Sequence, residues 1–176
     1  ISGTGDVLEP EGDIIGIDNG INLNGYYSDM AITVPVGEIT EEVKQLLAIT
    51  KQSLHNGIQA IKPGHKIRHI SEAVERTVEA HGYGIVQEFV GHGVGLSPHE
   101  DPMIPNYVAP HMKHDMNIDL KPGMILAIEP MITLGKEDVE VLDDGWTVVT
   151  RDGSYAAHFE HSVLVTEDGF EILTEL

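Results

Sequence analysis

Apolar and polar positions alternate with two different periods along this chain, and the switches between them mark the elements. From Gly12 to Val34, GDIIGIDNGINLNGYYSDMAITV, two apolar runs (Ile14, Ile15, Ile17 and Ala31, Ile32, Val34) flank a stretch rich in Asn and Gly. Asn-Gly pairs accept the positive φ that tight turns require, so the pattern predicts a two-stranded hairpin. Pro35 and Gly37 stop it. Thr40, followed by Glu41 and Glu42, reads as a helix N-cap with acids in the first turn. Val43, Leu46, Leu47, Leu54, Ile58 and Ile61 then recur at helical spacing until Lys62-Pro63-Gly64. A second amphipathic helix carries Ile67, Ile70, Val74 and Val78 on one stripe and ends at Gly82. Each helix has one apolar face, so each is expected to cover a sheet.

The second half returns to strand-like runs. Ile85 to Val90 leads into Gly91-His92-Gly93-Val94-Gly95, where glycines let backbone approach closely around a His. Met103 to Leu120 is polar and contains Pro, and reads as a surface loop. Gly123 to Glu129 is an apolar strand ending on an acid, Lys136 to Asp144 a charged hairpin or loop, and Trp146 to Val149 a strand. His158 to Val165 is a strand with an acid inside it, and Gly169 to Leu173 closes the sheet. An internal echo links the halves: GDIIGID, ending on Asp18, aligns with GMILAIE, ending on Glu129, and the runs after Asp29 and Glu160 also match. Two such matches in order suggest pseudo-symmetric halves facing one centre.

Composition narrows the class. The 176 residues are 41% hydrophobic and include 19 glycines, which suits one globular domain spanning 1–176 with a real core. Ten Lys plus Arg against 29 Asp plus Glu give a formal charge of -19, which disfavours nucleic acid or an anionic membrane as partner. The absence of cysteine excludes disulfides, thiolate zinc sites and a thiol nucleophile. No apolar run is long enough to span a bilayer, and positions 1–13 lack the features of a signal peptide, so a cytoplasmic location is expected. The first residue is Ile rather than Met, so the chain reads as processed, trimmed or truncated.

Charge inside apolar strands then supplies candidate chemistry. Asp18 and Asp29 on paired strands are costly unless a cation meets them, although two solvated acids on an ordinary hairpin explain the hairpin alone equally well. Adding His92, Glu129 and Glu160 gives four carboxylates and an imidazole. Four converging carboxylates hold protons at neutral pH or bind cations. Two divalent ions satisfy them, with oxygen-rich ligation suiting Mn or Fe and tolerating Co or Zn. His99, seven residues after His92, is placed to reach the same centre as a donor. His158 and His161 flank Glu160 and read as supporting residues. His55, His65, His69, His81, His111 and His114 read as surface or core histidines.

The segments GIDNGINLNGYYSDMA, EFVGHGVGLSPHEDP, LKPGMILAIEPM, DGWTVVT and HFEHSVLVTEDGFEILT, in this order, resemble the type I methionine aminopeptidases. The resemblance implies an α+β pita-bread (creatinase/aminopeptidase) fold, with two pseudo-symmetric halves and a curved antiparallel sheet covered by helices. It implies a single catalytic metallopeptidase domain that removes the N-terminal methionine of nascent polypeptides, near the ribosome, through a hydroxide activated by two metal ions. Asp18 would chelate one ion and Asp29 bridge both. His92 and Glu129 would hold the second ion while Glu160 bridges. Glu129 would shuttle a proton, His99 stabilise the oxyanion, and Trp146 line the methionine pocket, the competing reading for Trp146 being a core residue.

The related Xaa-Pro aminopeptidases and dipeptidases share the five ligand types, and Leu96 leans towards them, whereas Glu160-His161-Ser162 and Glu129-Pro130-Met131 lean towards the methionine enzymes. A non-catalytic metal-binding or interaction protein of the same fold is the third reading. Pro98 stands where the family has an aromatic, and the resemblance implies a family N-terminal portion lying ahead of Ile1. The expectation is a truncated or split-gene member that binds metal, is slow or dependent on a supplied N-terminal piece, and self-associates through an exposed sheet edge.

Overall fold

The computed structural model describes residues 10–175, so the reading of the first nine positions lies outside it. The hairpin forms as the pattern predicts: β1 (Ile14–Leu23) and β2 (Tyr26–Pro35) pair antiparallel about Asn24 and Gly25, both at positive φ. Helix α1 (Glu41–Gln59) starts where the Thr40 side chain accepts a hydrogen bond from the Val43 amide at 3.3 Å, and α2 (Ile67–Glu79) follows. Gly57 lets the two helices approach, since a Cβ there would lie 2.9 Å from Val74 Cγ2.

Beyond the helices come β3 (Gly84–Ile85), β4 (Gly91–Gly93), β5 (Glu100–Ile104), a short turn of helix α3 (Lys113–Met116), β6 (Ile125–Ile128) and β7 (Met131–Thr133). The hairpin β8 (Val139–Val141) and β9 (Val148–Thr150), then β10 (Ala156–His158), β11 (Glu160–Val165) and β12 (Phe170–Ile172), complete the chain. The main sheet runs in the order β1-β2-β11-β6-β4-β5, antiparallel throughout, with β12 also paired to β11.

Strand parity divides this sheet into two chemically different faces. Leu126, Ile128 and Val163 point to the face that α1 and α2 cover, where they join Leu46, Leu54, Ile58, Ile70 and Val74 in one core. Alternate residues of the same strands point the other way and carry the acids.

Four expected elements are redrawn. Met103 to Leu120 is no mere surface loop: Met103 and Ile104 belong to β5, and Ile104, Asn106, Tyr107, Ala109, Met116 and Leu120 are buried. Their aperiodic spacing hides an apolar role, because they plug gaps beside α2 rather than form one stripe. Of the strand expected from Ile85 to Val90 only Ile85 lies in one, β3, where Gly84 and Ile85 pair with Thr133 and Ile132, and the Val86 amide adds a bond to the Met131 carbonyl at 3.0 Å. The expected strand from His158 to Val165 breaks at Phe159, leaving β10 in a separate three-stranded sheet, β10-β7-β3. Trp146 precedes β9 in its hairpin turn, where Asp144 Oδ1 accepts its amide hydrogen bond at 2.9 Å; at 71% exposure it is not a core residue.

Candidate metal centre

Register alone brings the five expected residues to one face. In the β1-β2 pair, Asp18 lies opposite Ala31, and Asp29, two residues earlier on β2, shares the face of Ala31. Ala31 in turn lies opposite Glu160 on β11. One step beyond the His161–Ile128 pair, Glu160 meets Glu129. His92 on β4 lies opposite Ala127, which shares the face of Glu129. The internal echo is therefore real in space, with the second acid opposite the first in one half and offset by two residues in the other.

Side-chain atoms converge accordingly. Asp18, Asp29 and Glu160 offer oxygens within 4.8 Å of one another, and His92, Glu129 and Glu160 form a second such group, so Glu160 is common to both. Asp29, His92 and His99 form a third. Burial grades across the centre from exposed Asp18 to Glu160, which is only 2% exposed. His99 is exposed, with its ring edge-on to that of His92 at a centroid distance of 4.4 Å.

The electrostatics call for a cation. Burial, then the charges of Glu129, Asp29 and Asp18, push the Glu160 carboxyl up to about 10. Burial followed by Asp18 raises Asp29 as well, against the opposing pull of His92. Asp29 Oδ1 and Glu160 Oε1, carboxylate oxygens of residues in one ligand group, are buried without a hydrogen-bond partner, and such orphaned acceptors are what a metal satisfies. His92 Nδ1 lies 2.9 Å from the Gly93 carbonyl, which can only accept, so Nδ1 donates there and Nε2 is the nitrogen turned towards Glu129, 3.4 Å from its Oε1. The donor set, one imidazole among carboxylates, fits divalent Mn, Fe, Co or Zn.

The chain as a whole also matches known proteins. A model of metallopeptidase family M24 matches residues 3–167. The chain belongs to metallopeptidase family M24. It is 51% identical over 166 residues to methionine aminopeptidase 1 of Bacillus subtilis, and 40% identical over 167 residues to the methionine aminopeptidase of Escherichia coli. Those alignments cover 94% and 95% of this chain but 65% and 62% of the relatives, so the chain spans about two thirds of their length or slightly less. Among solved structures, the methionine aminopeptidase of Thermotoga maritima superposes with a TM-score of 0.89 at 47% identity, covering 94% of this chain and 65% of that one. The prolidase of Pyrococcus furiosus gives 0.72 at 28% identity, covering 94% and 42%. The M24 fold, a pita-bread arrangement of curled antiparallel sheet and covering helices, is thus the fold of this chain. The family being one of metallopeptidases, divalent metal ions are implied for this chain.

Several residues around the candidate centre escaped sequence reasoning. Asn106, 1% exposed in the supposed surface loop, donates from Nδ2 to the Glu129 carbonyl at 3.1 Å. His158, read as support, does reach Glu129, with Nε2 at 3.3 Å from Oε2, although it does so from the neighbouring sheet. His161 faces away, with Nδ1 2.8 Å from Thr174 Oγ1. Ser162 and Thr33 sit against the backbones of Asp29 and His158. The signal for Ser162 was its place two residues after Glu160 on an alternating strand. The remaining histidines lie outside all three ligand groups, His65 and His69 stacking on each other at 4.2 Å.

Proposed function

We propose that this chain removes the N-terminal methionine from newly made polypeptides, using two divalent ions held by Asp18, Asp29, His92, Glu129 and Glu160. The observation that carries the reading is the pair of ligand groups sharing Glu160, on a chain 40–51% identical to proteins named methionine aminopeptidase. Asp18 would hold one ion and His92 and Glu129 the other, with Asp29 and Glu160 offering a carboxylate to both. The ions, when bound, supply Lewis acidity that lowers the pKa of water and polarises a carbonyl.

The chain's own residues do the rest. Glu129, flanked by His92 Nε2 and His158 Nε2 at 3.4 and 3.3 Å, is placed to accept a proton and deliver it to the departing amine. His99, on the exposed side of His92, is oriented to donate to the substrate's carbonyl oxygen as charge develops there. Trp146, exposed on the β8-β9 turn, is proposed to cover the methionine side chain. The 176 residues act as one catalytic domain in the cytoplasm, near the ribosome that supplies the substrates, and copies self-associate. Among the described residues no helix is long and apolar enough to cross a membrane.

Methionine release from peptides beginning Met-Ala, compared with cleavage of Ala-Pro peptides, tests the reading with Mn, Fe, Co and Zn supplied separately and bound metal counted. Met-Ala cleavage with two ions per chain is expected. Cleavage of the Ala-Pro peptide alone would transfer the assignment to the Xaa-Pro peptidases, and two-metal binding without turnover to the non-catalytic reading. Asp29→Asn is expected to abolish paired-metal binding, since it removes a charge common to both ions.

A further inference from the structure

The metal centre is assembled from two pieces that barely touch through backbone. Asp18 and Asp29 ride on the β1-β2 hairpin, while Glu160, Glu129 and His92 ride on β11, β6 and β4. Among the described residues the hairpin's ladder to the rest of the sheet is that of β2 with β11, which has only two residue pairs, Ala31–Glu160 and Met30–His161, and one further backbone bond runs from the Tyr27 amide to the Gly95 carbonyl at 2.7 Å. A two-residue ladder is a weak specification of register.

Each end of this short ladder is closed by a side-chain hydroxyl. Continuing the register one way sets Asp29 opposite Ser162. The Ser162 backbone is engaged elsewhere, because at that residue β11 changes partner from β2 to β12: its amide donates to Thr174 Oγ1 at 3.2 Å and its carbonyl accepts from Leu173 at 2.9 Å. The Ser162 hydroxyl then takes both backbone groups of Asp29, accepting from its amide at 2.9 Å and donating to its carbonyl at 2.8 Å.

Continuing the other way sets Thr33 opposite His158, where the chain has crossed into β10 and its own sheet. Here the Thr33 hydroxyl accepts from the His158 amide at 2.9 Å and donates to its carbonyl at 2.8 Å. Both hydroxyls are buried, at 0% and 5% exposure. One clamp holds the backbone of a metal ligand. The other holds the backbone of the histidine that touches Glu129. Two such clamps, one tying β2 to β11 and the other tying it to β10, fix the hairpin's translation and twist against the chain running from β10 into β11.

We propose that Ser162 and Thr33 are positioning residues that hold the two halves of the metal centre in register, so that Glu160 is shared by both ions. This rests on the metal-centre reading above. Losing a clamp leaves β2 held by its two ladder pairs and the Tyr27–Gly95 bond, and lets Asp29 and Asp18 shift away from Glu160, which affects the pairing of ions before it affects the fold.

The test uses the chain with Mn2+ alone, titrated calorimetrically and followed by low-temperature electron paramagnetic resonance, which distinguishes exchange-coupled paired ions from isolated ones. Ser162→Ala and Thr33→Val are each expected to weaken Mn2+ binding by about tenfold or more, in the range usual for groups that orient metal ligands, and to replace the coupled signal with that of single ions. Ser162→Thr and Thr33→Ser, which keep the hydroxyl, are expected to restore both. Thr33→Val keeps the side-chain shape, so it reports even where Ser162→Ala does not fold. Undiminished affinity and coupling in Thr33→Val or in folded Ser162→Ala overturns the clamps. An unaltered chain that takes up no Mn2+ overturns the metal-centre reading, and the clamps with it.

Discussion

Glu160 is the residue on which the centre's energetics turn, because it is the most buried acid of the centre and joins the Asp18-Asp29 group to the His92-Glu129 group. In the metal-free chain its carboxyl is pushed up to about 10 from an ordinary 4.5, so the folded state keeps a proton that the unfolded chain has released across that interval. Stability from this group is present in full below the unfolded value and declines as pH rises towards the folded one. The metal-free chain is therefore expected to melt at progressively lower temperature between pH 5.5 and 8.5 in the presence of chelator. Glu160→Gln needs no proton to be neutral, and is expected to flatten that slope, raise the melting point at pH 8.5 by several degrees and bind no metal pair. Parallel slopes for the two proteins would refute this account of the strain. The trade is physical: what destabilises the empty fold is the charge density that draws the ions in.

At the scale of elements, β4 shows how backbone packing places a ligand. A Cβ at Gly91 would overlap the Ala127 carbonyl oxygen and one at Gly93 the Asp101 carbonyl oxygen, so only glycine lets His92 sit between β6 and β5. Gly93→Ala is expected to cost about 1 to 3 kcal/mol, the usual penalty for overpacking, and to weaken metal binding by displacing His92. Gly16→Ala, where a Cβ meets nothing within 4 Å, is the control; it is expected to change stability by less than about 0.5 kcal/mol. Urea unfolding of both checks the contrast, and equal losses would mean that the glycines matter only for entropy. The close approach was legible in the sequence as Gly91-His92-Gly93, and the acids were legible because each interrupts an apolar strand. Thr33 left no such mark, and Ser162 only its parity with Glu160. Hydroxyls are at home in strands, and their roles depend on which strand lies opposite across 133 and 125 residues of chain. The burial of Tyr107, Met116 and Leu120 was equally hidden, since plugging a gap imposes no period.

At the scale of the whole molecule, two properties oppose each other. Among the described residues β1 has a partner on one side only, and its ten residues contain no Lys, Arg or Pro of the kind that blunts sheet edges. Ile17, Ile21 and Leu23, with Tyr26 on β2, are exposed where the hairpin extends past the helices. Such an edge favours pairing with a second copy. The formal charge of -19 resists it, because two copies approaching edge to edge bring like charge together. Salt decides between them: the screening length falls from about 10 Å at 0.1 M to about 3 Å at 1 M, while apolar and backbone pairing survive. Sedimentation velocity is thus expected to find monomers at low ionic strength and a mass that rises with salt and with protein concentration. Ile21→Lys, which places a charge in the exposed row without touching the acid face, is expected to hold the chain monomeric at both. A monomer at high salt and high concentration, or association indifferent to Ile21→Lys, would rule out β1 as the adhesive edge. The same edge strand carries Asp18, so self-association through β1 should also be sensitive to metal loading, with ions easing the repulsion that keeps copies apart.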